Sequence, residues 1–440
     1  MKELRQIIEQ EIREQGPIPF SRYMELCLYH PEFGYYSRNA AQFGKAGDFY
    51  TSSDVHAVFG RLLARQFDEM WRVMGSPEPI TVGELGPGRG LFAQDVLDWA
   101  EKKFPEFYGA VRYELVEQST ALRERIAQTL ARHIAAGRAT VDGPKAAKVG
   151  ADGRGATSVV PRTDSTTLAL AAEGDVVNGK SGTSGAKAQS SVRHHGTTEV
   201  VPFPSSPSAS LNQRLRSSLP TIVFANEFFD AMPVEIVSSR GSLRVGERDG
   251  RFTEIWVSSS AEELEFLDRY GVHPEDGERV EVTLEAQKQF RDAIQFERGF
   301  VVVIDYGYTR AEQLAGRHRG TLKAIRQHSV SANPYEAPGE QDITADVNFT
   351  ALAAIAEQNG MCVQKLITQS QFLMGIGEEN QFGDAFEDCR VPQERAKVAL
   401  QLKHLVTPAG MGESFQVLVA GKGIDADQVA GLAGLNFGRR

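Results

Sequence analysis

One short stretch limits most strongly what this chain can fold into. Ile80-Thr81-Val82-Gly83-Glu84-Leu85 is an almost unbroken apolar run, Gly86-Pro87-Gly88-Arg89-Gly90 follows it, and from Leu91 onward Phe92, Val96 and Trp99 recur at helical spacing. A buried strand that enters a helix through a glycine turn is half of a β–α–β unit, and such units build parallel sheets covered by helices on both faces. The alternation continues along the chain. Strands are expected at Tyr113–Val116, Thr221–Ala225 and Phe300–Ile304, with further ones near Val363–Thr368 and Phe415–Ala420. Helices are expected from about Thr120 to His133, near Glu285–Phe296 and at Phe349–Gln358. The expected fold is α/β, with a doubly wound, mostly parallel sheet.

Two regions depart from this rhythm. Before residue 79, Val55, Val58, Phe59, Leu62, Leu63, Phe67, Met70 and Trp71 recur at helical spacing behind the expected caps Ser52 and Ser53. With Leu4–Arg13 and Ser21–Tyr29 they predict a helical section at 1–78 that packs on the α/β domain. From Gly137 to Ser218 a single aromatic residue, Phe203, stands where the chain's 9% average predicts about seven. Such a segment buries too little apolar area to offset its ordering entropy, and it reads as a flexible insertion. The α/β domain is then split into 79–136 and 219–425, with insertions at about 235–284 and 308–346 and a tail at 426–440.

Composition excludes several functions. No apolar run is long enough to span a bilayer, and a net charge of −10 argues against a general nucleic-acid binder. Cys27, Cys362 and Cys389 are too scattered for a metal site and too few for a disulfide framework, so no metal is expected. Glu3, Glu9, Glu11 and Glu14 speak against a signal or transit peptide, and a cytoplasmic protein is expected.

The glycine turn is the main chemical signal. It brings backbone N–H groups close to a ligand, and Glu117, at the end of the next strand, is placed to accept ribose hydroxyls. Dinucleotide sites favour G-x-G-x-x-G, whereas this chain has G-x-G-x-G behind the acid Glu84. An acid suits the sulfonium and ammonium of S-adenosylmethionine and repels a pyrophosphate, which puts a nicotinamide dehydrogenase behind a methyltransferase. A second cluster, Asn226-Glu227-Phe228-Phe229-Asp230-Ala231-Met232-Pro233-Val234-Glu235, follows a central strand, where open α/β sheets place their ligands. The alternative is that its aromatics are core and its acids cap a helix.

The ordered set of segments resembles the MidA-like family of S-adenosylmethionine-dependent methyltransferases, which includes the mitochondrial complex I assembly methyltransferase. The resemblance rests on Gly16–Met24, Tyr29–Tyr36, Gly47–Thr51, Glu84–Gly90, Ala225–Val234, Ile304–Gly307, Gly339–Thr344 and Met411–Phe415, and spans the chain except Gly137–Ser218. It implies a seven-stranded class I methyltransferase sheet, S-adenosylmethionine as cofactor and a protein arginine as acceptor, in a respiratory complex subunit or its bacterial counterpart. By position, Glu84, Leu85, Gly86, Pro87, Gly88 and Gly90 would form the methionine-side loop, Glu117 and Gln118 would hold the ribose side, and Asp48, Thr51 and Asn226 would also lie at the cofactor. The chain departs from the family pattern at Ser52-Ser53-Asp54-Val55, at Ile325 and at Asp346, the last two bordering the expected acceptor side.

Arginine is a hard acceptor, because its guanidinium stays protonated to a pKa above about 12. Carboxylates must orient it and receive a proton, and Glu227 and Asp230 are the candidates, with Glu235, Asp342 and His328 behind them. Tyr35, Tyr36, Phe49 and Tyr50 could wall the site or simply pack. A small-molecule methyltransferase and a non-catalytic, cofactor-stabilised assembly factor are the rival readings, and a homodimer is compatible with either.

Overall fold

Strands form where the apolar runs predict them. The computed structural model describes residues 2–38, 57–117, 119–142, 218–326, 329–331 and 333–438. Its main sheet contains β1 (Ile80–Leu85), β2 (Val111–Val116), β3 (Ala139–Asp142), β4 (Thr221–Asn226), β5 (Gly299–Tyr308) and β6 (Phe415–Lys422), in the spatial order β6-β5-β4-β1-β2-β3. The pairings from β5 to β3 are parallel, and β6 runs antiparallel to β5. Cys362–Val363 and Ile367–Thr368 extend the sheet along β6, and Val347–Asn348 pairs with the end of β5. The expected strand at 363–368 is thus two short pieces.

From β1 the chain builds outward through β2 and β3, then returns to place β4 on the other side of β1. That reversal opens a crevice at the carboxyl ends of β1 and β4, where Leu85 pairs with Ala225. On the far side of β4, Asn226 pairs with Ile304 of β5.

Both faces of the sheet are covered, which explains why its strands lack polar alternation. One face carries α1 (Ala57–Val73) and α2 (Leu91–Lys103). Phe92 stacks on Phe224 with ring centroids 4.4 Å apart, and Phe67 meets Phe224 edge-on at 5.6 Å. The other face packs Val223, Val301 and Val303 against α4 (Leu284–Ala293) and α5 (Phe349–Gln358) through Phe290, Leu352 and Ile355. The helix expected from Thr120 to His133 breaks at Leu130, into α3 (Thr120–Thr129) and a short helix at Ala131–Ala135.

The N-terminal helices differ from the expectation in what they touch. Lys2–Gln15 and Phe20–Tyr29 flank Ile18–Pro19, which joins a second, antiparallel sheet made by Glu235–Ser238, Gly241–Arg248, Arg251–Val257 and Val280–Val282. Sequence reading treats this region only as an insertion. A hairpin signal is nevertheless present: Asp249-Gly250 takes φ of 53° and 69°, the turn that Asp-Gly favours between two strands. A third sheet aligns Ser329–Ser331, Lys323–Arg326 and Asp342–Thr344. Among the described residues no helix is long and apolar enough to cross a membrane.

Candidate active site

The glycine turn sits at the mouth of the β1/β4 crevice. Gly86 and Gly88 have φ of 64° and 53°, a backbone region costly for residues with a side chain. A Cβ on Gly86 would lie 2.6 Å from Cδ2 of Phe228, so the first glycine allows the two turns to touch. A Cβ on Gly88 would meet no atom of the described residues within 4 Å apart from its chain neighbours, so among the described residues that side of the turn is open. Gly90 starts α2 without a side-chain cap, which leaves the helix's first N–H groups directed towards the turn. This arrangement suits a polar ligand lying over Pro87 and Gly88.

Glu84 lies beneath the turn and is only 5% exposed. Its Oε2 accepts the Tyr113 hydroxyl at 2.9 Å, and burial pushes its carboxyl up to about 8. A cation above the turn would favour the charged form and draw that value down. Glu117, partly exposed beyond the end of β2, accepts the Ser119 N–H at 2.8 Å, and Ser119 in turn caps α3.

The turn after β4 is held by a residue of the Ile304–Gly307 segment to which the sequence reading gave no role. Asp305, fully buried in β5, takes the N–H groups of Phe228, Phe229 and Asp230 on Oδ2 at 3.1, 2.9 and 3.4 Å. Its Oδ1 accepts the Tyr306 N–H at 2.9 Å. These bonds hold Glu227 at φ 51°, and its own N–H donates to the Ile304 carbonyl at 3.0 Å. Asn226 donates its Nδ2 to Glu227 Oε1 at 3.0 Å, while its Oδ1 is buried and has no hydrogen-bond partner among the described residues. An orphaned acceptor beside a glycine turn is a ready partner for a ligand ammonium or hydroxyl. Phe229 is core, edge-on to Phe290, whereas Phe228 lies against Gly86.

Asp230 is buried, and its backbone carbonyl accepts the Ala345 N–H at 2.9 Å. Burial raises both Asp230 and Asp305, and each raises the other or is raised by a further acid nearby. Asp305 is pushed well above the ordinary carboxylate range even with its N–H donors, so it holds a proton the more firmly, while the Asp230 carboxyl is pushed up to about 7. Tyr29 donates its hydroxyl to the Ala231 carbonyl at 2.8 Å, and Tyr36 donates to Asp342 Oδ1 at 3.0 Å. The Tyr29 and Tyr36 rings are 5.5 Å apart, and Tyr36 is 5.4 Å from Tyr35. The aromatic group therefore docks the N-terminal helices beside the acidic turn through hydroxyls as well as by packing.

The structure thus brings together Glu84, Leu85, Gly86, Pro87, Gly88 and Gly90 with Asn226, Glu227 and Asp230 at one end of the sheet. Glu235 is elsewhere engaged, accepting the Ser21 hydroxyl at 2.5 Å and pairing with Arg244 at 3.3 Å. Asp48, Phe49, Tyr50, Thr51, Gln118 and His328 lie outside the described residues, as does most of the 137–218 segment. No cluster of three or more metal-ligating side chains occurs among the described residues.

Comparison with known proteins bears on the family and the fold of the chain. The family model described as "Putative S-adenosyl-L-methionine-dependent methyltransferase" matches residues 62–367. The chain is 28% identical over 437 residues to the protein arginine methyltransferase NDUFAF7 homolog, mitochondrial, of Drosophila melanogaster, covering 94% of this chain and 84% of that one. It is 25% identical to the protein arginine methyltransferase NDUFAF7, mitochondrial, of Homo sapiens, covering 92% and 80%. Among solved structures, a COG1565 superfamily member from Burkholderia thailandensis bound to S-adenosyl-homocysteine superposes with a TM-score of 0.71 at 24% identity, over 98% of this chain and 95% of that one. The fold is shared.

Proposed function

Because this chain belongs to the family of S-adenosylmethionine-dependent methyltransferases whose model spans residues 62–367, we propose that its acceptor is an arginine side chain of a protein. The relatives named protein arginine methyltransferase support that acceptor, and they match over more than nine-tenths of the chain. One observation carries the reading: Phe228 against Gly86 sets the acidic turn directly beside the glycine turn. A methyl donor over one turn would face an acceptor held by the other. A respiratory complex I-type subunit, or its bacterial counterpart, is the protein we propose, on the strength of the family resemblance. We also read the sheet as the seven-stranded, doubly wound type, extended by short edge strands.

The donor residues fit the cofactor. Gly88 leaves room for it among the described residues, Asn226 offers an oxygen that no described residue bonds, Glu84 lies below as a counter-charge, and Glu117 is placed for the ribose hydroxyls. We assign Asp48, Thr51 and Gln118 to the same side. S-adenosylmethionine, once bound, supplies an electrophilic methyl group on a sulfonium. The chain's own residues must then orient the guanidinium and take its proton. Glu227, fixed by Asn226 and the Ile304 carbonyl, is positioned to bind one edge of the planar fork. Asp230 receives the proton lost from the nitrogen that gains the methyl group. A carboxyl near 7 is well matched to that role, since a base works best with a pKa close to the operating pH.

Calorimetric titration of S-adenosyl-homocysteine and NAD into wild type and Gly88→Val tests the cofactor side. A valine at φ 53° would strain the turn and fill the space over it. Binding of S-adenosyl-homocysteine by wild type, lost in the variant with its melting curve preserved, is expected. Binding of NAD alone would overturn the reading.

A further inference from the structure

The acceptor side of the site holds a cation that belongs to the chain itself. Lys323, on the middle strand of the third sheet, places Nζ 3.1 Å from Asp346 Oδ1 and 5.8 Å from the centroid of the Tyr306 ring. Both partners are tied to the acidic turn. Tyr306 directly follows Asp305, and Asp346 directly follows Ala345, whose N–H is bonded to the Asp230 carbonyl. Both are also fixed in place. Tyr306 packs on Phe415 with centroids 4.0 Å apart, and the Asp346 N–H donates to Thr321 Oγ1 at 3.0 Å. The second Asp346 oxygen pairs with His318 Nδ1 at 3.1 Å, and His318 stacks on Tyr308. The Asp346 side chain is 13% exposed and that of Lys323 is 46% exposed.

A fixed carboxylate beside an aromatic face is a receptor for an organic cation. Lys323 is a poor permanent occupant, because an ion pair to a half-exposed lysine is weak and screened by salt. A guanidinium has the advantage over it. It can donate to the Asp346 Oδ1 that Lys323 vacates while His318 keeps Oδ2, its flat face stacks on a ring, and it gives up hydration more readily than an ammonium. Resting on the arginine reading above, we propose that Tyr306 and Asp346 form a guanidinium subsite, and that Lys323 determines specificity by filling it until an acceptor arginine displaces it. An acceptor lysine would exchange one ammonium for another and gain little, so the resident cation favours arginine over lysine.

The test uses the full chain saturated with S-adenosyl-homocysteine, with Nα-acetyl-arginine amide and Nα-acetyl-lysine amide as calorimetric probes. Lys323→Met should bind the arginine probe about fivefold or more tightly than wild type, the scale set by losing one exposed ion pair and one cation–π contact. Its preference for arginine over lysine should narrow. Lys323→Arg should keep the subsite filled and bind the probe no better than wild type. Asp346→Asn should weaken binding in the Lys323→Met background. Lys288→Met removes an exposed lysine paired with Glu285 on α4 and should change nothing. Unchanged or weaker probe binding by Lys323→Met would overturn the proposal, as would an equal gain in Lys288→Met, which would reduce the effect to net charge. Failure of wild type to bind S-adenosyl-homocysteine would instead remove the cofactor reading, and this inference with it.

Discussion

Asp230 and Glu84 are both buried carboxyls near one end of the sheet, yet the chemistry asks different things of them. Asp230, pushed up to about 7 by burial and by the nearby Asp346, changes charge in the range where the enzyme would work. A proton acceptor acts in its ionised form, so kcat/KM should rise with pH through an inflection near 7 and level off above it. In Asp230→Asn the inflection should vanish and the rate fall by about 10²–10⁴-fold. A variant that kept the wild-type pH profile would clear Asp230 of that role. Glu84 shows in stability instead. Its carboxyl lies at about 8 in the fold against an ordinary 4.5, with burial as the cause. A group raised by folding contributes fully below its unfolded value, and that contribution is lost as pH rises through the folded value. Ligand-free wild type should therefore lose stability between about pH 4.5 and 8 on account of Glu84. Glu84→Gln, which can still accept the Tyr113 hydroxyl, should melt higher than wild type at pH 8, with the gain shrinking towards pH 5. Melting curves with a difference that ignores pH would contradict the assignment. Glu84 was legible in the sequence because its place beside the glycines is local, while its partner Tyr113 comes from the next strand.

At the scale of elements, the acidic turn depends on β5 rather than on its own sequence. Three of its N–H groups end on one oxygen of Asp305, 75 to 77 residues further along the chain. Asp305→Asn would turn one oxygen into a donor and leave buried N–H groups unmatched, each worth about 1–3 kcal/mol. The variant should unfold at lower denaturant and bind S-adenosyl-homocysteine more weakly, because Asn226 and Glu227 lose their anchor. Wild-type stability and affinity in Asp305→Asn would show that the turn holds itself. No local pattern could have revealed this, since the contact forms only when β4 and β5 pair. By contrast, the glycine turn, α2 and the strands β1, β4 and β5 were legible, because their hydrophobic periodicity and turn chemistry lie within a few residues. The second sheet fell between: its Asp249-Gly250 turn is a local signal, but its strands are short and its cover comes from the distant N-terminus.

At the scale of the molecule, the crevice between β1 and β4 follows from strand order alone, and strand order follows from where the chain reverses. The N-terminal segment flanks it through Tyr29 and Tyr36, and Tyr36 is bonded to Asp342 of the third sheet, which also carries Lys323. Neither arrangement was visible in the sequence beyond the expectation that helices must pack somewhere, because both join segments more than a hundred residues from their targets or fold around an insertion. Transfer of a methyl group to a protein arginine, as proposed for this architecture, can be followed by incubating the protein with methyl-tritiated S-adenosylmethionine and a cell extract, separating protein from small molecules, and hydrolysing the labelled protein to amino acids. Label recovered as methylarginine from a discrete protein band, and absent with Asp230→Asn, is the predicted result. Label confined to the low-mass fraction, or recovered as methyl-lysine, would contradict it.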